Sequence, residues 1–250
     1  MANDGVTSQL TLLKDIVLKG RIPKHLAVIP DGNRRYARKK GISLANAYEE
    51  GLQKAKEFAR WCRELGIRYL TFYSLSLENL QNRSPDELNI LFTLMKKYAK
   101  ELINNKEIHT DQVRVRIVGR LNLLPKDLLE ILEDLERVTR EYENYHLIFL
   151  MAYSGRAEIL DAVNKLLTIN VSESLRVDEK FFRQFLYLPD VPDPDLVIRT
   201  SGEQRISNFL LWYLAYSELY FINKFWPEIT MEDLLKAIRD FQQRERRFGR

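Results

Sequence analysis

Short, nearly continuous apolar runs alternate along this chain with longer segments whose apolar residues recur every three or four positions. A brief unbroken run suits a strand buried on both faces, and a 3.6-residue period marks a helix with one buried face. The runs predict strands at residues 25–30, 69–75, 113–118, 147–152, 196–198 and 219–222. The helical period predicts helices near 45–65, 86–103, 125–142, 156–167, 179–186 and 207–214, and a last one from about 231 to 246. Such alternation predicts an α/β fold: a single domain with a mostly parallel central sheet of about six strands, flanked by helices. No internal repeat, low-complexity tract or Gly/Ser linker divides the chain.

Ligands of parallel sheets bind beyond the carboxyl ends of the strands. The first strand runs into Asp31-Gly32-Asn33-Arg34-Arg35-Tyr36-Ala37-Arg38. Gly32 allows a tight turn, a helix N-terminus follows, and three arginines add positive charge. These features describe a diphosphate cradle. Asp31 suits that cradle as a holder of Mg²⁺, a hard cation that takes carboxylate and diphosphate oxygens together. A turn followed by a solvated basic helix face fits the same spacing. The segment lacks the Gly-x-x-x-x-Gly-Lys-Ser/Thr pattern of nucleotide P-loops.

The second strand ends in Ser76-Leu77-Glu78-Asn79-Leu80, and Arg83-Ser84-Pro85 opens the next helix. A capped loop accounts for Ser84 and Pro85, and less well for Ser76, Glu78 and Asn79. The fifth strand delivers Arg199 into Thr200-Ser201-Gly202-Glu203-Gln204-Arg205-Ile206-Ser207-Asn208-Phe209. Arg199 and Arg205 offer planar, always-charged forks suited to diphosphate oxygens. Ser207 reads as the cap of the 207–214 helix, with a hydroxyl free to donate to the same anion.

These blocks, in this order, resemble the cis-prenyltransferases, the undecaprenyl diphosphate synthase family, over about residues 22 to 249. The first motif, His25 to Ala37, resembles the family's opening signature. The second resembles its Ser-x-Glu-Asn segment, and the third its Arg-Thr-x-Gly-Glu-x-Arg-x-Ser-Asn-Phe block, continuing through Trp212, Glu218 and Tyr220 to Trp226-Pro227. The resemblance implies a catalytic domain at 22–250 behind an N-terminal helical extension at 1–21, and a hydrophobic tunnel in the fold. It implies sequential head-to-tail condensation of isopentenyl diphosphate onto farnesyl or geranylgeranyl diphosphate. The product would be a long-chain Z-polyprenyl diphosphate such as undecaprenyl diphosphate, precursor of a glycosyl carrier lipid. Asp31 and Glu218 would handle Mg²⁺, Glu218 in some members serving the neighbouring site of a homodimer. The starter diphosphate would lie on Gly32, Asn33, Arg34, Arg35 and Tyr36, with further substrate contacts at Ser76, Leu77, Glu78, Leu80 and Arg83. Arg199, Arg205, Ile206 and Ser207 would bind the isopentenyl diphosphate. Asn79 would stand near the departing proton in a positioning or relay role, with Asp31 as the other catalytic residue.

The chain departs from the family pattern at Leu44 and Tyr48, where several members carry an arginine and a histidine, and at Gln204, where a histidine is linked to the metal. Tyr36 and Leu80 also differ from the frequent residues. The departures resemble the archaeal branch, which adds geranylgeranyl diphosphate to farnesyl diphosphate as a candidate starter and leaves the choice open. Tyr153-Ser154-Gly155-Arg156 resembles another family block, with Arg156 as easily structural. Residues 244–249 resemble the family's tail, and equally suit a solvated basic end.

Composition adds bounds. The 250 residues are 45% hydrophobic and 30% charged, enough to bury a core, with a formal net charge of +4 that suits an anionic substrate, nucleic acid or an anionic membrane surface and decides between none of them. The single cysteine, Cys62, excludes an internal disulfide and reads as a buried bystander in a reducing cytoplasm. No signal-peptide order and no run of about 18 apolar residues is present, so any membrane contact is expected to be peripheral. No nucleic-acid motif appears, and the aspartate-rich motifs of trans-prenyl synthases are absent. A non-catalytic subunit of a heteromeric prenyltransferase is the alternative. Retention of Asp31, Asn79, Arg199, Arg205 and Glu218 argues against it.

Overall fold

Leu26-Ala27-Val28-Ile29 and Leu196-Val197-Ile198 have no solvent-facing side, and the structure places both strands inside the sheet, with a neighbour on each side. The computed structural model describes residues 2–169 and 176–244, with side chains from residue 9 onward. In chain order it contains α1 (Ala2–Leu18), β1 (His25–Ile29), α2 (Asn33–Lys40), α3 (Leu44–Glu64), β2 (Tyr69–Ser76), α4 (Leu77–Asn82), α5 (Pro85–Ile103) and α6 (Lys106–Thr110). Then follow β3 (Val113–Val118), α7 (Lys126–Thr139), β4 (Tyr145–Tyr153), α8 (Gly155–Leu167), α9 (Glu179–Arg183), β5 (Leu196–Arg199), β6 (Glu218–Phe221) and α10 (Met231–Gln243). The strands form one six-stranded sheet in the order β3-β4-β2-β1-β5-β6, and every pairing is parallel.

Two cores sit on the two faces of this sheet. One packs α3, α7 and α10 through Phe58, Leu128, Leu135, Trp226, Leu235 and Phe241, and takes in Val17 of α1. The other packs α8, α9 and the segment after β5 through Ala162, Phe182, Phe209 and Tyr213. The helices begin where polar caps allow. Ser43, Ser84 and Ser154 each accept a backbone N–H of the first turn of α3, α5 and α8, and Thr230 and Asp233 cap α10 reciprocally. Helix α1 lies along α10, where Gln242 Nε2 donates to the Val17 carbonyl at 2.7 Å. Cys62 is buried, and burial pushes its thiol up.

The amino end of the sheet is closed by polar groups. Buried His25 donates from Nδ1 to the Pro192 carbonyl at 2.7 Å and accepts at Nε2 from the Thr71 hydroxyl at 2.8 Å. Asp195 Oδ2 accepts the backbone N–H groups of Lys24 and His25 at 2.8 and 3.1 Å. Burial pulls the His25 ring down to about 4, against the hydrogen bond to Pro192 and the charge of Asp195.

One predicted helix is not formed. Residues 207–214 are a chain of turns, because Ser207, Asn208 and Leu210 take φ values of 48°, 65° and 42°. A right-handed helix needs φ near −60°. Ser207 therefore caps no helix. The predicted 179–186 helix shortens to α9, and α4 and α6 appear where loops were expected. Of the expected tail, residues 245–250 lie outside the described residues.

Candidate active site

Loops after β1, β2, β4 and β5 converge at the carboxyl end of the sheet, where the strand order turns about β1. After β1 the chain turns at Gly32, whose φ of 108° is left-handed and which opens α2. A Cβ at Gly32 would also lie 2.8 Å from the Phe225 ring and 2.9 Å from Ser201 Cβ. The turn is fixed from the other side as well. Thr200 Oγ1 and the Trp226 N–H both donate to the Asp31 carbonyl, at 2.7 and 3.0 Å.

Arg199, the last residue of β5, is buried, and its Nη2 donates to Asp31 Oδ2 at 2.9 Å. Its Nη1 donates to Ser207 Oγ at 2.8 Å and to the Arg205 carbonyl, and its Nε is buried without a partner. Arg35 pairs with Glu203 at 2.9 Å, and Arg205 pairs with the other oxygen of the same carboxylate. The Arg205 side chain remains 61% exposed, which leaves most of its fork available to a ligand. Ser76 caps α4 by accepting the Asn79 N–H at 3.0 Å, which sets Glu78 and Asn79 on the exposed rim.

Among the predicted residues, Asp31, Asn33, Arg34, Ser76, Glu78, Asn79, Arg83, Arg199, Arg205 and Ser207 line one cavity of about 770 Å³. Gly32, Arg35, Tyr36, Leu77, Leu80, Ile206 and Glu218 are not in its wall. Tyr36 is buried and donates to Glu50 at 2.5 Å; that hydrogen bond is the main cause pushing its hydroxyl up to about 12. Leu77 is buried at the start of α4, and Leu80 packs on the first core. Glu218 does not meet Asp31 within one chain. It begins β6 opposite Leu196, whereas Asp31 follows Ile29, which pairs with Arg199. Parallel strands put these positions about five residues apart along the strand direction, roughly 16 Å. The Glu218 carboxylate accepts from Arg244 Nη1 at 2.8 Å instead.

Three residues escaped the sequence reading of the site. Glu87, 7% exposed, turns its carboxylate toward Tyr48, whose hydroxyl donates to it at 2.6 Å. Arg83 Nε stands 3.3 Å and Arg34 Nε 3.9 Å from the same carboxylate. Tyr48, noted before only as a departure, lines the cavity, and burial pushes its hydroxyl up. Asn208 joins three of the loops.

A second cavity of about 680 Å³ shares Leu52, Ala55, Phe72, Ser74, Met95 and Phe149 with the first and so abuts it. It runs between α3 and α5 over β2 and β4, and reaches Ile108, Leu132 and Leu135. Met95, Ala99 and Leu102 of helix α5 line this cavity and also belong to the first core, while Asn89, Thr93 and Lys97 on another side of the helix are exposed. Among the described residues no group of three or more His, Cys, Asp or Glu is placed to hold a metal. Asp31 stands in the wall of the first cavity with its side chain 29% exposed, and one carboxylate completed by ligand oxygens and water is a donor set that suits Mg²⁺.

Residues 29–249 match the family model described as "Putative undecaprenyl diphosphate synthase". A tritrans,polycis-undecaprenyl-diphosphate synthase (geranylgeranyl-diphosphate specific) of Methanopyrus kandleri is 47% identical over 242 residues, 96% of this chain and 89% of that relative. An enzyme of the same description from Pyrococcus horikoshii is 48% identical over 237 residues, 94% of this chain and 89% of that relative. The crystal structure of lavandulyl diphosphate synthase from Lavandula x intermedia, in complex with dimethylallyl diphosphate, superposes with a TM-score of 0.86 at 31% identity, covering 91% of this chain and 98% of that one. With these matches over nearly its whole length, the chain belongs to the undecaprenyl diphosphate synthase family, the cis-prenyltransferases.

Proposed function

We propose that this cis-prenyltransferase condenses isopentenyl diphosphate in successive steps onto geranylgeranyl diphosphate, with farnesyl diphosphate as the second candidate starter. The product is a long-chain Z-polyprenyl diphosphate such as undecaprenyl diphosphate, precursor of a glycosyl carrier lipid. The printed specificity of the archaeal relatives favours the geranylgeranyl starter. The observation that carries the reading is the polar cavity at the strand ends sharing a wall with a second, helix-walled one. One takes charged heads and the other a growing tail.

Asp31 is the residue that would hold Mg²⁺, which when bound with diphosphate oxygens supplies a Lewis acid for the charge that builds on the leaving group. Arg34 and the N-terminal amides of α2 orient the starter diphosphate. Arg205, Ser207 and the unpaired Nε of Arg199 receive the isopentenyl diphosphate. A carbon–carbon bond forms at the allylic carbon, its bond to the diphosphate oxygen breaks, and a proton leaves the isopentenyl unit. Asn79 orients that proton; the released diphosphate or a water accepts it. Holding both diphosphates fixes the reacting carbons, where proximity contributes most. Each added five-carbon unit gains about 4 kcal/mol at most from burial of its carbons, so release of a long product limits turnover.

Helix α8 turns Leu160, Val163 and Leu167 to solvent in one stripe, with exposures of 60%, 36% and 76%. That stripe supports a homodimer, and only a second copy brings a Glu218 to this site. No helix among the described residues is long and apolar enough to cross a membrane. A cytoplasmic enzyme with peripheral membrane contact suits a lipid product. The deciding assay mixes the purified chain, Mg²⁺, labelled isopentenyl diphosphate and a panel of allylic starters, and sizes the products by chromatography. Long products from the geranylgeranyl starter are expected. No incorporation by the chain alone would return the non-catalytic alternative.

A further inference from the structure

One amide joins three loops of the site. Asn208 Nδ2 donates to Glu78 Oε1 at 2.8 Å and to Ser154 Oγ at 2.5 Å. Its Oδ1 accepts the backbone N–H of Arg156 at 3.0 Å, and its own carbonyl accepts that of Gly155 at 2.8 Å. The loop after β5 is thereby tied to the loop after β2 and to the turn that opens α8. Gly155 is what permits the approach: a Cβ there would stand 2.9 Å from the Asn208 carbonyl oxygen and 2.8 Å from the Leu211 side chain.

The backbone around this amide is strained. Ser207, Asn208 and Leu210 all hold positive φ, a region asparagine tolerates and serine and leucine do not favour. Such conformations persist only where neighbours over-determine them, and they gather at functional sites. The strained stretch carries Ser207, whose hydroxyl accepts from Arg199, and follows Arg205. The far end of the tie is Glu78, the residue before Asn79. Desolvation pushes the Glu78 carboxyl up. Donors from Asn208, its own backbone, Ser76 and Ser154 outweigh it and hold the group below its ordinary value.

We propose that Asn208 is a positioning residue for the condensation: its amide sets the distance between the Arg205–Ser207 arm and Asn79. Both amide hydrogens are given to protein groups, so it acts through those residues and not on the substrate. The inference rests on the reaction proposed above, in which that arm grips the isopentenyl diphosphate and Asn79 faces the departing proton. It also gives the Tyr153–Arg156 block a purpose, since the same amide fixes the turn that carries Arg156 into the cavity wall.

The test compares Asn208→Gly, Asn208→Asp, and Asn208→Asp combined with Glu78→Gln. Glycine admits the positive φ without strain and removes the side chain with its amide. Aspartate keeps the shape and sets two carboxylates against each other. Adding Glu78→Gln rebuilds the hydrogen bond with its polarity reversed. Steady-state kinetics with each substrate varied in turn, and thermal melts, are the readouts. Asn208→Gly is expected to lower kcat/KM for isopentenyl diphosphate at least about tenfold with the starter KM within about twofold, as a small misplacement does. Asn208→Asp falls at least as far, and Glu78→Gln restores at least about fivefold of that loss, the coupling of a direct contact. Parental kinetics in a folded Asn208→Gly, a starter KM that rises as much as the isopentenyl KM, or an aspartate variant that Glu78→Gln fails to rescue overturns the proposal. If the glycine variant does not fold, the aspartate and glutamine pair decides alone. Turnover by the parent chain is the control: its absence defeats the reaction assignment, whereas its presence leaves the Asn208 result to stand by itself.

Discussion

At the amino end of the sheet His25, Thr71 and Asp195 are knitted to one another and to backbone, and both ring nitrogens of His25 are partnered. At the carboxyl end of the same strands, Arg199 Nε and Asn33 Oδ1 are buried without partners, and Arg205 keeps most of its fork in solvent. Buried polar groups cost stability unless they are paired. A closed set is therefore architecture, and an open set is a site built for something else to complete. The acids at the open end confirm the pattern. Asp31, Glu203 and Glu87 pair with Arg199, Arg35, Arg205 and Arg83, so three negative charges offset four positive ones and an excess of positive charge is left for an anion.

The largest way to break this contrast is Asp31→Asn. The amide still accepts from Arg199 but leaves that buried guanidinium without its counter-charge, so the melting temperature should fall, while condensation by the folded variant falls by about 10³-fold, the scale of losing one charge-stabilising group. Parental turnover with Mg²⁺ present would falsify the assignment. Next in size is Arg205→Ala. Its exposed fork should contribute about 2 kcal/mol to holding a diphosphate, or roughly thirtyfold in KM for isopentenyl diphosphate. An effect on the starter KM alone would reassign the arginine.

The closed end should respond to pH and not to substrate. The folded His25 value of about 4 lies below the unfolded value near 6.5, so on acidification the unfolded chain takes the proton first. The stability from the buried neutral ring is complete above pH 6.5 and is lost as pH falls toward 4, roughly 2 kcal/mol of it by pH 5. Urea titrations at pH 7 and 5 should show that extra loss in the parent and not in His25→Gln; equal losses in both sink the idea. The smallest effect belongs to Tyr48→Phe. Removing one hydrogen bond to Glu87 should raise the starter KM about fivefold, near 1 kcal/mol, with isopentenyl KM unchanged.

Much of this was legible in the chain. Strands β1 and β5 announce themselves as unbroken apolar runs because both faces are covered, and each is followed by its site residues, Asp31 and Arg199. The failures have physical reasons. Phe209, Leu210 and Trp212 are spaced like a helix face, but local pattern cannot register the positive φ that tertiary ties impose on Ser207, Asn208 and Leu210. Glu87 stands three residues after the cap Ser84, where a glutamate looks like part of a helix cap; only the fold turns it toward Tyr48. Glu218 is the first residue of its strand instead of following its end, and in a parallel sheet that single difference moves it to the opposite end.

Trp226 is one of three tryptophans, and its indole is buried at the wall of the polar cavity, against Phe58 and Phe72 with ring centroids 5.3 and 6.0 Å away and its Nε1 donating to the Gly51 carbonyl at 2.7 Å. The same residue's backbone holds the Asp31 carbonyl. The molecule thus carries an optical reporter wired to the turn at Asp31 and Gly32. With Trp61 and Trp212 replaced by phenylalanine, the emission of Trp226 alone should record the arrival of a starter in a stopped-flow trace, before any bond is made.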